Sequence, residues 1–166
     1  MPKTRKLALM AMFTAASLIV FVIEAQIPAP IPVPGVKLGL ANVVTLIAMV
    51  MLGRREAGLI LLVRIAMGSM FTGGVSAFIF SIAGGALAYA VMCLTLKPFP
   101  EKLLWVVSVL GAIAHNLGQL IAAIIITKTS SLMLYAPVLL ASAVVTGAFT
   151  GLAAMYLTQR LDKRVG

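Results

Sequence analysis

Long apolar runs, broken at short polar intervals, organise this chain from one end to the other. Six runs stand out, at about 7–27, 36–52, 57–71, 75–96, 103–127 and 132–157. The breaks carry turn and charge signals: a proline-rich stretch (Pro28, Pro30, Pro32, Pro34, then Gly35), Arg54-Arg55-Glu56, Thr72-Gly73-Gly74, the lysine-bounded segment 97–102, and 128–131. A helix crosses a bilayer with about 20 apolar residues. The pattern therefore predicts an all-α integral membrane protein, a bundle of six transmembrane helices forming one domain over 1–166. The second and third runs are short, about 15 to 17 residues, or roughly 23–25 Å of helix. Either the bilayer thins around them, or neighbours shield them beside a water-filled recess. The N-terminus, MPKTRK followed by an apolar run, imitates a signal peptide. The run is long and a small-x-small site is poorly met near Ile23-Glu24-Ala25, so it reads as a retained first helix.

Composition narrows the function classes. Of 166 residues, 62% are hydrophobic and 10% charged, and almost nothing lies outside the apolar runs. That leaves no room here for a soluble catalytic, nucleotide-binding or nucleic-acid module. The formal charge of +9 sits in the short breaks, where it acts as a topogenic signal and attracts anionic lipid. With both termini in the cytoplasm, ten basic residues lie inside (Lys3, Arg5, Lys6, Arg54, Arg55, Lys97, Lys102, Arg160, Lys163, Arg164) and two outside (Lys37, Lys128). This bias orients the protein in the cytoplasmic membrane. The single cysteine, Cys93, lies in an apolar run and reads as a packing residue.

Within the runs the informative residues are polar. Arg64 falls in the middle of AGLILLVRIAMGSMF, and a mid-bilayer charge usually faces a polar cavity or a partner. It admits three readings: an ion pair with Glu24, an anion held by the guanidinium fork, or snorkelling, which its depth makes hard. Glu24 lies near the outer end of the first helix, Lys37 and Asn42 at the outer end of the second, and Ser81 in the outer half of the fourth. His115 and Gln119, four apart, share a face of the fifth helix, and Asn116 flanks them. Such a stripe serves ligand contact or interhelical hydrogen bonding, the latter worth about 0.6 kcal/mol per contact. Together these residues outline a polar site open to the outside. Glu24 and Lys37 flank the proline loop, where they can also simply pin its ends. That loop, stiffened by alternate prolines, is a lid or a spacer.

One histidine and one unpaired cysteine supply no metal ligand set. There is no Walker motif, no aspartate-rich diphosphate motif and no haem-attachment site, so catalysis by this chain is not expected. Small residues at i, i+4 mark close helix approach: Ala11 and Ala15 on the first helix, Ala143, Gly147 and Gly151 on the sixth.

The run Pro32-Val-Pro-Gly-Val-Lys-Leu-Gly-Leu-Ala-Asn42, Arg64 with Gly68, Ser81-x-x-Gly84-Gly85 and Gly111-Ala-Ile-Ala-His-Asn-Leu-Gly-Gln119 resemble the bacterial membrane family called Gx transporter, labelled heptaprenyl diphosphate synthase component I. That family is similar to the substrate-binding S components of energy-coupling factor (ECF) transporters. The resemblance implies a six-helix bundle with an outward-facing pocket under the loop after the first helix. It also implies docking to a membrane coupling subunit, with its two ATPases, through Ala11 and Ala15. Synthase activity itself needs aspartate-rich metal sites, and the chain has one aspartate, Asp162. The resemblance leaves an alternative: an accessory protein of flavin- or quinone-linked extracellular electron transfer, or of prenyl-lipid metabolism.

Overall fold

The computed structural model describes residues 2–27, 37–72, 74–97 and 101–165. The proline strap expected at 28–36 and parts of the breaks at 73 and 98–100 lie outside the described residues. Among those described, regular structure is entirely helical. The α-helices are α1 (Lys3–Gln26), α2 (Asn42–Met51), α3 (Arg54–Thr72), α4 (Gly74–Thr95), α5 (Leu104–Thr127) and α6 (Ala136–Val165). Short 3-10 turns, Glu101–Leu103 and Ser130–Tyr135, lead into α5 and α6. A helix satisfies its own backbone, which a chain this apolar needs wherever water is absent. Terminators sit where left-handed geometry is required. Gly53 (φ 104°) turns the chain between α2 and α3, and Lys128 (φ 52°) closes α5.

Six helices form, but they are not six equivalent spans. Four helical segments are long and apolar enough to cross a membrane: Lys3–Gln26, Gly74–Thr95, Leu104–Thr127 and Ser130–Arg160. The expected second span, 36–52, shrinks to the ten residues of α2, about 15 Å. α3 has the length, at 19 residues, yet carries Arg54, Arg55, Glu56 and Arg64. The shortness of α2 has a visible cause. Backbone donors at 37, 39 and 41 bond to side chains of other helices, so the helix begins only at Asn42.

α5 is the most enclosed of the long apolar helices and packs most extensively against α4 and α6. Glycine makes this possible. A β-carbon at residue 118 would stand 2.5 Å from the Ala83 carbonyl oxygen, and one at 151 would stand 2.5 Å from Trp105 Cα. The Ala143, Gly147, Gly151 stripe is thus spent on packing α6 against α5. Ala11 and Ala15 are instead exposed.

Apolar residues fill the two ends of the bundle. Leu46, Ile60, Met92, Leu104 and Val107 pack at the end that carries most of the basic residues. Phe80, Leu120, Ala123 and Leu139 pack towards the other. Large apolar side chains also face outwards from α1, α3, α4, α5 and α6, among them Leu7, Met70, Leu94, Ile125 and Phe149. Exposed apolar surface on this scale needs a hydrocarbon solvent, and the protein is a multi-pass helical membrane protein. α2 shows no such residue; it is shielded by its neighbours.

Candidate functional site

Between the two apolar ends lies a polar layer built by five segments. On α1 the buried residues are Ser17, Phe21 and Glu24, one stripe at i, i+4 and i+7. α3 contributes Arg64, α4 Ser81, and α5 His115 and Gln119. The chain entering α2 passes among them. Each of these polar residues is buried, Arg64 to 2% exposure and Gln119 to 1%.

The segment 37–41 is irregular backbone inside a largely apolar bundle, and such backbone needs partners. Gln119 Oε1 accepts the Lys37 N–H at 2.9 Å. The Glu24 carboxylate accepts the Gly39 N–H through one oxygen and, at 3.4 Å, the Ala41 N–H through the other. Gly39 N–H therefore ends on a charge, and the Gly39 carbonyl in turn accepts the Asn42 N–H at 3.0 Å to start α2. Residue 39 has φ +76°, and a β-carbon there would meet His115 Cδ2 at 2.9 Å. Glycine is demanded both by conformation and by space.

Two cations share one aromatic platform. Lys37 Nζ stands 3.9 Å from the Phe21 ring centroid, and the Arg64 guanidinium carbon stands 5.5 Å from it. Gly68 lets this ring sit against α3, since a β-carbon there would lie 2.6 Å from Phe21 Cε1. Gly84 does the same for α5: its β-carbon would meet Gln119 Cγ at 2.8 Å and His115 Nδ1 at 2.9 Å. Among the described residues no carboxylate oxygen lies within 4.0 Å of Arg64, so an ion pair with Glu24, one of the three readings open to Arg64, is not closed.

Phe21, Glu24, Lys37, Gly39, Arg64, Ser81, His115 and Gln119 enclose a cavity of about 10 Å³, the room of a single water. Several buried polar atoms around it have no hydrogen-bond partner: Lys37 Nζ, Arg64 Nε, His115 Nδ1 and both side-chain polar atoms of Asn42. Ser17 Oγ and Thr45 Oγ1 are in the same condition. Two cationic side chains face one carboxylate, leaving one formal positive charge in excess. Chemically the arrangement offers donors and positive charge, which suits an anion or a carbonyl oxygen. Among the described residues no group of His, Cys, Asp and Glu side chains comes together that could hold a metal.

Six of the eight residues picked out in the sequence as substrate contacts line this cavity. Asn42 does not line it. It begins α2 just after segment 37–41, which covers the cavity through Lys37 and Gly39 and is called its roof below, and Gly39 would crowd the Asn42 Nδ2 if it carried a β-carbon. Asn116 turns away, and its Nδ2 donates to the Leu139 carbonyl on α6 at 2.9 Å. Lys37 lies before α2 rather than on it. Sequence reasoning missed Phe21, Ser17 and Thr45. The i−3 spacing of Phe21 from Glu24 was the available signal for the first of them.

The family described as heptaprenyl diphosphate synthase component I matches residues 13–157, and the chain belongs to that family. No curated protein and no solved structure matches it.

Proposed function

We propose that this member of the heptaprenyl diphosphate synthase component I family is a non-catalytic substrate-binding membrane subunit of ECF S-component type. Its ligand is a small molecule with an anionic or carbonyl group. Arg64 and Lys37 hold that group, His115, Gln119 and Ser81 supply hydrogen bonds, and Asn42 joins them once the roof moves. Glu24 is a positioning residue that holds the roof's backbone. Asn116 braces α5 against α6. Ala11 and Ala15, exposed on α1, form the docking surface for a coupling subunit and its two ATPases.

The observation that carries this reading is the Arg64 environment. A fully buried guanidinium has no carboxylate in contact, stands beside a second cation and is ringed by unpartnered polar atoms. Such a cluster is costly unless something else completes it. The remaining space holds about one water. Binding therefore requires segment 37–41 to withdraw, which breaks the Glu24 and Gln119 contacts to its backbone.

The same small cavity supports a second reading, a structural subunit whose polar layer serves only the irregular segment before α2. Native mass spectrometry of the tagged protein, extracted from its own membranes, separates the two. A coupling subunit with two ATPases, plus a small bound mass lost in Arg64→Gln, is the expected result. An unliganded subunit within another membrane complex favours the structural reading. A flavin or quinone in place of the ATPases favours an electron-transfer accessory.

A further inference from the structure

A second cleft lies away from the polar layer. It is a lateral groove of about 500 Å³ between α3 and α4, lined by Arg55, Gly58, Leu59, Leu61, Leu62, Ile82, Ala86 and Tyr89. Its volume falls in the range of small-molecule sites, roughly 300–1,000 Å³. Two helical stripes make it. On α3, residues 55, 58, 59 and 62 share a face; on α4, residues 82, 86 and 89 do. Gly58 and Ala86 are the small residues of the lining, and Leu59, Leu61, Leu62 and Ile82 are its large aliphatic ones. Tyr89 lines the groove beside the start of α3. Its hydroxyl donates to the Arg54 carbonyl at 2.7 Å, and its ring lies against Gly58, where a β-carbon would stand 3.0 Å from the hydroxyl oxygen.

Charge marks the same end. Arg55 is exposed in the first turn of α3. The neighbouring carboxylate, Glu56, is bound by Lys6 from α1, and among the described residues Arg55 forms no ion pair. The trough therefore runs from an unpaired cation at the basic end of the bundle into an apolar channel that opens sideways. From residue 55 to residue 62 it extends roughly 10 Å along α3.

We infer that this groove binds an anionic glycerophospholipid of the leaflet at the basic end, its phosphate on Arg55 and one acyl chain in the trough. The fit rests on charge complementarity: the exposed Arg55 at one end of an otherwise apolar groove. Apolar lining alone would accept any lipid tail; the exposed Arg55 selects the headgroup, as basic residues near an anionic surface do. This site is independent of the polar cavity and of the transport reading.

The test is native mass spectrometry of the full chain released from nanodiscs of equal phosphatidylglycerol and phosphatidylcholine. The expected result is retained phosphatidylglycerol in about five-fold excess, the scale of one basic side chain at a membrane surface. Arg55→Gln should bring the two lipids to parity, while Arg54→Gln, outside the groove, should leave the excess in place. Ala86→Leu should lower retention of both lipids. Equal retention by the unaltered protein overturns the inference. So does an equal fall in Arg54→Gln and Arg55→Gln, which would reflect net charge alone. Retention of a polypeptide or a neutral isoprenoid in place of phospholipid also overturns it. Arg55 is exposed, so Arg55→Gln decides the matter even where Ala86→Leu does not fold.

Discussion

The polar cavity and the lateral groove share α3 and α4 and differ in almost everything else. The cavity is lined by charge and hydrogen-bonding groups yet holds about one water. The groove holds about 500 Å³ and is nearly all hydrocarbon. The difference follows from what each must satisfy. A polar group in an apolar medium needs partners within hydrogen-bonding distance, which draws helices, backbone and side chains tightly together. An apolar trough on the lipid face needs no partner, because lipid tails fill it. In this protein room and chemistry are therefore separated, and the chemical site must open to receive anything larger than water.

That contrast can be broken most severely at Gly84. A leucine there would drive into His115 and Gln119 and pry α4 from α5. We expect a loss of about 3 kcal/mol or more, read as failure to give a monodisperse species or as a large drop in unfolding midpoint. A well-behaved Gly84→Leu protein would mean the polar layer is looser than described. Glu24→Gln keeps the shape but removes the charge that receives the Gly39 and Ala41 N–H groups. The expected cost is about 1.5–3 kcal/mol, the value of hydrogen bonds to a charged group. Faster amide exchange should be confined to segment 37–41, and uniform exchange behaviour would contradict the pinning role.

Arg64→Met sharpens the comparison in the opposite direction. Because no carboxylate touches Arg64, its stability effect should stay within about 1 kcal/mol, while any ligand-induced stabilisation disappears. A loss of about 3–5 kcal/mol, the cost of breaking a buried ion pair, would reveal a structural pair with Glu24 after all. Asn116→Ala should cost least, about 0.6 kcal/mol, an average interhelical hydrogen bond in a membrane protein, with ligand retention unchanged. Ligand loss in that variant would return Asn116 to the binding surface.

The helical, membrane-spanning character was legible because hydrophobic runs of bilayer length have few other uses. So was the gathering of Glu24, Lys37, Arg64, Ser81, His115 and Gln119, because isolated polar residues at similar depth on adjacent spans have only each other to meet. Two details were not legible. α2 looked like a span because 36–52 is apolar enough, but hydropathy does not register side chains that capture the backbone of 37–41. Asn116 looked like part of the His115 stripe because it is its neighbour. One residue is about 100° around a helix, enough to face α6 instead.

By itself the sequence determined the solvent, the helices and the short list of residues with chemistry, since these depend on local composition and period. Tertiary structure alone decided which polar atoms meet and which are left over. It decided that Glu24 binds backbone rather than Arg64, that Phe21 seats both cations, and that space opens beside Arg55 instead of Arg64. The physical reason is that hydrogen bonds and close packing act over a few ångströms, between residues that only the assembled bundle brings together.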